Sequence, residues 1–240
     1  MLVAYGHFLF RYRNILFPVV LFTLLIVFKP YTAGGNERFD LWLDIAGILV
    51  IIAGQAVRAA VIGLAYIKRG GVNKKIFASS LVTEGIFAHC RNPLYVGNLM
   101  ILTGFLIIHN NPWVYLLGGG FFLLSYIAIV AAEESFLGEK FGDEFNQYCN
   151  SVNRWLIDFC GIRKTLASMT FNWKRVISKD HTTFLTWFLT VLLIISYEYV
   201  TRHGLGNSQS FLVQQSIIGI TGILLVLWVR ILKKSGKLAN

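Results

Sequence analysis

Apolar residues gather into six runs, at residues 14–28, 41–67, 93–108, 112–132, 182–200 and 211–232, separated by stretches rich in charge and amides. Most of these runs approach the roughly 20 residues that carry an α-helix across the hydrocarbon core of a bilayer. Within lipid every backbone N–H and C=O needs an internal partner, so each run is read as a helix. The second run is interrupted by Gln55 and Arg58. The third and fourth are joined by His109, Asn110 and Asn111, after which Pro112 suits the first turn of a new helix. Beyond the fourth run, Phe136, Leu137, Phe141, Phe145 and Tyr148 recur at helical spacing among charges. That pattern predicts an amphipathic helix along the membrane interface or against the bundle. The expected architecture is therefore all-α, a polytopic transmembrane bundle of about six helices with an interfacial helix.

Composition agrees with lipid as the main solvent. Hydrophobic residues make up 55% of the 240 positions and charged residues only 14%, against about 25% charged in a soluble domain. The net charge of +10 is explained by where the basic residues fall. Arg11 and Arg13 precede the first run. Lys68, Arg69, Lys74, Lys75 and Arg91 lie between the second and third. Lys140, Arg154, Arg163, Lys164, Lys174, Arg175 and Lys179 lie between the fourth and fifth, and Arg230, Lys233, Lys234 and Lys237 close the chain. The rule that Lys and Arg concentrate in inner loops places all these segments, and both termini, in the cytoplasm. A bacterial inner membrane, with the active site facing the cytoplasm, is the expected location. With the charge so explained and no recognition motif present, nucleic acid is excluded as a partner.

The apolar run after Arg13 meets no small-residue cleavage site before Lys29 and Pro30, so it is read as a retained helix. Cys90, Cys149 and Cys160 show neither CxxC spacing nor a histidine partner, which argues for free thiols. His7, His89, His109, His181 and His203 are scattered across loops and both membrane faces; most are read as interfacial, and they suggest no metal site.

Three groups of residues offer chemistry. Arg58 is an ionisable group within an apolar run, which calls for a polar partner or a ligand. It is read either as the binding residue for an anionic group or as one half of a structural pair with Glu133, Glu134 or a helix C-terminus. Glu133 and Glu134 end the fourth run and offer carboxylates to hydroxyl or ammonium groups. The stretch Arg91-Asn92-Pro93-Leu94-Tyr95-Val96-Gly97 opens the third helix, with Asn92 as a natural N-cap and free N–H groups in the first turn.

Taken in order, Leu81-Val82-Thr83-Glu84-Gly85-Ile86-Phe87, Arg91 to Gly97, Glu133-Glu134, Phe141-Gly142, Tyr148 and Val152 form a series that resembles the isoprenylcysteine carboxyl methyltransferases and their bacterial and phospholipid-methylating relatives. The resemblance covers about residues 45–157. It implies an S-adenosyl-L-methionine-dependent integral membrane methyltransferase. The implied cofactor contacts are Ser79, Ser80, Leu81, Val82, Phe87, Asn92, Pro93, Leu94, Tyr95 and Glu133. Arg58 is the candidate substrate-binding residue, and Arg58 and Tyr95 are the catalytic candidates. Three positions depart from the family pattern. Asn92 stands for a histidine, Phe87 for a tyrosine, and Ile129 for a substrate-binding arginine.

The resemblance divides the chain into an N-terminal helix and outer loop (residues 1–44), a methyltransferase-like core with a cytoplasmic cofactor pocket (residues 45–157), and a linker with two further helices (residues 158–240). The implied acceptor is lipophilic or small and reacts through a carboxylate, amine or thiol, with membrane lipid as the surrounding partner. Two other classes stay open at this point: an NADPH-dependent membrane reductase of related architecture, and a non-enzymatic transporter or assembly protein. Acceptor identity, oligomeric state and the role of the last two helices are not specified by the sequence.

Overall fold

A computed structural model of the chain describes residues 1–64, 69–72 and 75–238. The last positions of the second apolar run, and Lys68 and Lys74 of the basic loop, lie outside the described residues. Eight helices are described: α1 (Leu2–Val27), α2 (Glu37–Leu64), α3 (Pro93–His109), α4 (Val114–Phe141), α5 (Asp143–Ser151), α6 (Ile162–Ala167), α7 (Trp173–His203) and α8 (Gln209–Lys234). Five of them, α1, α2, α4, α7 and α8, are long and apolar enough to cross a membrane, although α8 alone would not require the Gly206–Ser208 turn that precedes it. The sixth expected crossing, α3, has 17 residues and a length of roughly 25 Å. The architecture is the polytopic helical bundle expected, and the protein is an integral membrane protein. A two-stranded antiparallel hairpin is added to it, β1 (Arg69–Val72) against β2 (Lys75–Ala78), with Arg69 opposite Ala78.

The helices depart from the apolar runs chiefly at their ends. α1 starts at Leu2, so Arg11 and Arg13 lie within it rather than before it. The guanidinium of Arg13 finds partners inside the bundle, so it does not end the helix. α4 runs on past Glu133 and Glu134 to Phe141. The expected amphipathic helix is therefore divided. Phe136, Leu137 and Phe141 complete α4, while Phe145 and Tyr148 are buried on the short α5. Gly142 makes the break with φ 52° and ψ −122°, a conformation that strains any residue carrying a Cβ. Gly142→Ala meets no neighbouring atom, so its cost is purely in the backbone. It is expected to destabilise the chain by about 1–3 kcal/mol, read as a lower thermal midpoint in detergent. An unchanged midpoint would show that this bend does not depend on glycine.

α2 and α3 pack closely along their length as a hairpin, and glycine makes the contact possible. A Cβ on Gly54 would lie 2.6 Å from the Gly97 carbonyl oxygen, and one on Gly97 would lie 2.8 Å from the Gly54 oxygen. Gly47 and Gly104 repeat the reciprocal arrangement at 2.8 and 2.6 Å. In lipid, where association relies on close packing rather than on expulsion of water, such small-residue contacts carry helix pairing. A core of Leu21, Leu25, Ile51, Phe105, Ile108, Phe122, Val191 and Ile194 then joins this hairpin to α1, α4 and α7. By contrast, Val213, Ile217, Ile220, Leu224, Trp228 and Ile231 of α8 are each between 57% and 65% exposed. An apolar face that open belongs against lipid.

Candidate functional site

At the end of the bundle where α3 begins there is a cavity of about 240 Å³, lined by Arg13, Arg58, Phe87, Arg91, Asn92, Pro93, Leu94, Tyr95, Asn98 and Glu133. Four helices supply seven of these residues, and the segment just before α3 supplies Phe87, Arg91 and Asn92. α3 provides Pro93 through Asn98, α4 provides Glu133, α2 provides Arg58, and α1 provides Arg13. Six of the ten residues implied as cofactor contacts lie here, together with Arg58.

The Tyr95 hydroxyl donates to Glu133 Oε1 at 2.6 Å and accepts from Arg13 Nη1 at 2.9 Å. Arg13 also lies over the Phe10 ring, 4.4 Å from its centroid. Glu133 is thus oriented by a tyrosine whose other partner is a cation. Glu134 faces a different way and ties two arginines together. It pairs with Arg154 at 2.5 Å and with Arg91 at 3.7 Å. The two adjacent carboxylates therefore do separate work, one in the cavity and one bracing its wall.

Asn92 occupies the N-cap position of α3 but its side chain does not cap the helix. Its amide instead donates to the Arg154 carbonyl at 3.2 Å. Its backbone oxygen accepts from the N–H groups of Tyr95 and Val96 at 3.0 and 3.1 Å. Residues 153–158 run alongside this helix start as a strap. The Arg91 N–H donates to the Asn153 carbonyl and the Asp158 N–H to the His89 carbonyl, both at 2.9 Å. The His89 ring is held between the Asp158 carbonyl at 2.7 Å and Thr165 Oγ1 at 2.8 Å. Tyr148 donates to the Phe87 carbonyl at 2.7 Å, which fixes the backbone that carries the Phe87 ring. Cys90 is fully buried under the strap. Burial pushes its thiol up from the ordinary value, so it is a weak donor and not a nucleophile.

Arg58 has a partner the sequence reading did not consider. Its guanidinium is paired with Asp180 of α7 and donates to Asn98 Oδ1, with Thr183 Oγ1 at 3.2 Å. Gln55 Nε2 donates to the same Asp180 at 2.6 Å, and Trp187 Nε1 donates to Gln55 at 2.9 Å. Neither Glu133 nor Glu134 is the partner expected from the sequence, because Glu134 is committed to Arg91 and Arg154.

Ser79, Ser80, Leu81 and Val82 do not line the cavity. Ser79 and Ser80 are exposed, Leu81 packs beside Leu137 and Tyr148, and Val82 packs beside Val61 and Phe87. Ile129 is fully buried in an apolar cluster with Leu9, Phe10, Tyr95 and Tyr126, so no charge reaches the cavity from that position. His89 and His109 are also buried, so they are not among the histidines that fit the interfacial reading made for most of the five. Their neighbours are residues distant in sequence, which spacing alone does not bring together. Among the described residues, Asp40, Asp44 and Glu198 place carboxylate oxygens within 4.8 Å of one another. Arg202 pairs with Asp40 and Glu198 there and supplies a compensating charge.

Sequence reasoning missed Arg13, Arg91 and Asn98 as cavity residues and Asp180 as a partner. Arg13 carried a signal, since its apolar neighbours begin at Leu9, but beside Arg11 it reads as an ordinary helix flank. Asp180 follows Lys174, Arg175 and Lys179 and also reads as flanking sequence.

Residues 42–144 match the phospholipid methyltransferase family. The chain is also 24% identical over 198 residues to a nickel-cobalt-cadmium resistance protein, NccN, of Alcaligenes xylosoxydans xylosoxydans, covering 82% of this chain and 87% of that protein. No solved structure matches.

Proposed function

We propose that the core, whose residues 42–144 match the phospholipid methyltransferase family, is a membrane methyltransferase module that uses S-adenosylmethionine at the cytoplasmic end of the bundle. The acceptor in this reading is lipophilic. What carries the proposal is the convergence of three separated motifs on one cavity: Phe87, Asn92 to Tyr95, and Glu133.

The donor set suits the cofactor. Its carboxylate calls for cationic N–H donors, which Arg91 and Arg13 supply. Its ammonium calls for a carboxylate, which Glu133 supplies. A neighbouring apolar surface is offered by Phe87, Pro93 and Leu94. At about 240 Å³ the cavity falls below the roughly 300–1,000 Å³ of a pocket enclosing a whole ligand. It therefore accommodates the amino-acid end, with Ser79, Ser80, Leu81 and Val82 left to complete the nucleoside side.

S-adenosylmethionine supplies a methyl group on a positively charged sulfur, already electrophilic enough for direct displacement. The protein's part is alignment and exclusion of water. Tyr95 holds Glu133 in one orientation. Arg91, braced by Glu134 and Arg154, fixes one wall. Arg58 presents a cation whose charge is already balanced by Asp180, so it orients a polar acceptor without demanding an anion. None of these residues is placed as a general base, which favours an acceptor that is nucleophilic as it stands or loses its proton to water.

Isothermal calorimetry in detergent tests the cofactor assignment. The wild-type chain is expected to bind S-adenosylmethionine, and Glu133→Ala to weaken binding by about tenfold to a hundredfold, the loss of a charge-assisted contact. No heat of binding at millimolar cofactor removes the assignment. Competition by NADPH at the same site would favour the reductase reading instead.

A further inference from the structure

A second, larger cavity of about 530 Å³ lies between α7 and α8. Its walls are apolar, with Phe184 and Phe188 from α7 facing Ile218 and Leu225 from α8, and its polar end is formed by Gln55 and Asp180. Asp180 is also the partner of Arg58, and Arg58 lines the first cavity. One ion pair therefore forms the partition between the two spaces.

We propose that this groove binds the hydrocarbon chain of a membrane amphiphile, with the polar head at the Arg58–Asp180 pair. Three observations select that occupant. The rim residues Phe184, Ile218 and Leu225 are 45%, 44% and 56% exposed, so the groove opens sideways on the face that lipid covers. A hydrocarbon chain satisfies its apolar walls, and its volume lies within the range that encloses a small ligand. The charged group, Asp180, sits with Gln55 at the end where a chain terminates in a head group, while Thr221 in the wall gives its hydroxyl to the Ile217 carbonyl at 2.8 Å. Lys233 near the end of α8 donates to the Ser178 carbonyl of α7 at 2.9 Å, which places that end beside the basic loops and beside the methyl-transfer cavity. α7 and α8, which lie outside the family-matched segment, thereby gain a role: they hold the tail of the molecule whose head is presented at Arg58. That this amphiphile is the methyl acceptor rests on the methyltransferase reading; that the groove holds a chain does not.

The test uses the full chain in nanodiscs and a hexadecyl probe carrying a mid-chain diazirine, with labelled peptides mapped by mass spectrometry. Saturable labelling of the α7 and α8 peptides is expected in the wild type. Ile218→Trp and Leu225→Trp, each filling the groove from its open side, are expected to reduce that labelling by about tenfold. Ile220→Trp, on the lipid-facing side of α8, is expected to leave it unchanged. Labelling that does not saturate, or that is equal in all four proteins, overturns the proposal. Calorimetry with S-adenosylmethionine on the same samples separates the two claims. Saturable labelling without cofactor binding upholds the groove and removes the methyltransferase reading, whereas cofactor binding with unsaturable labelling does the reverse.

Discussion

Asp180→Ala is expected to destabilise the chain by about 3–5 kcal/mol, the cost of leaving a buried cation without its partner. The side chains of Arg58 and Asp180 are 12% and 2% exposed, and an ionisable group within an apolar helix is costly once its paired carboxylate is removed. The loss also strands Gln55, whose amide donates to the same carboxylate. The double variant Arg58→Met with Asp180→Leu removes both charges at similar volume and is expected to recover most of the stability. It is not expected to recover methyl transfer, because Arg58 lines the cavity. Unfolding in detergent and a methyl-transfer assay on the wild type, Arg58→Met, Asp180→Leu and the double variant separate the two effects. If Asp180→Ala costs less than about 1 kcal/mol, the range of an exposed pair, the pair is reached by water and Arg58 is not constrained as described.

Gly97→Val is expected to have the second large effect. A Cβ at Gly97 would stand 2.7 Å from Arg58 Cγ and 2.8 Å from the Gly54 carbonyl oxygen. The arginine stem can shift, but the facing backbone cannot do so without parting α2 from α3. Overpacking of this kind costs about 1–3 kcal/mol. The functional loss is expected to be larger than the stability loss suggests, since Gly97 lies one turn from Asn92 and Pro93 and directly beside Arg58. Gly97→Ala should fall between valine and wild type in both thermal midpoint and cofactor affinity. Gly206, with no atom within 4 Å of an added Cβ, is the control, and Gly206→Ala is expected to change stability by no more than about 0.5 kcal/mol. A Gly97→Val chain with unchanged midpoint and affinity would show that the hairpin has room the geometry denies.

The helical bundle was legible because hydrophobic runs and backbone hydrogen bonding leave few options in lipid. The ends of those runs were less legible. Arg13 looks like a flank because a lone charge costs too much in lipid, yet Tyr95, distant in sequence, and Phe10, one turn earlier on α1, make its place inside the bundle tenable. α4 continues through Glu133 and Glu134 for the same reason: each carboxylate meets a donor from another element. The hairpin of β1 and β2 interrupts an otherwise helical reading, and its strands are too short to announce themselves by alternation. Within the site, the ordered series that resembles the methyltransferases pointed to Phe87, Asn92 to Tyr95 and Glu133, which line one cavity. Arg58 was conspicuous alone, but its partner was not. Asp180 lies 122 residues away, and pairing at that range is decided by packing rather than by any local signal.

The strap of residues 153–158 bears on how such a protein can be exchanged between relatives. It hydrogen-bonds the residues just before α3 from beyond the 42–144 segment that matches the family, as Arg13 and Asp180 reach inward from either side. A chimera that transplants only the family segment would carry its motifs but lose the scaffolding that orients them. Partners for Arg91, Asn92, Tyr95 and Arg58 would all have to be supplied by the host. Residues on these flanks are therefore expected to co-vary with the core, so that the recombination unit is close to the whole chain.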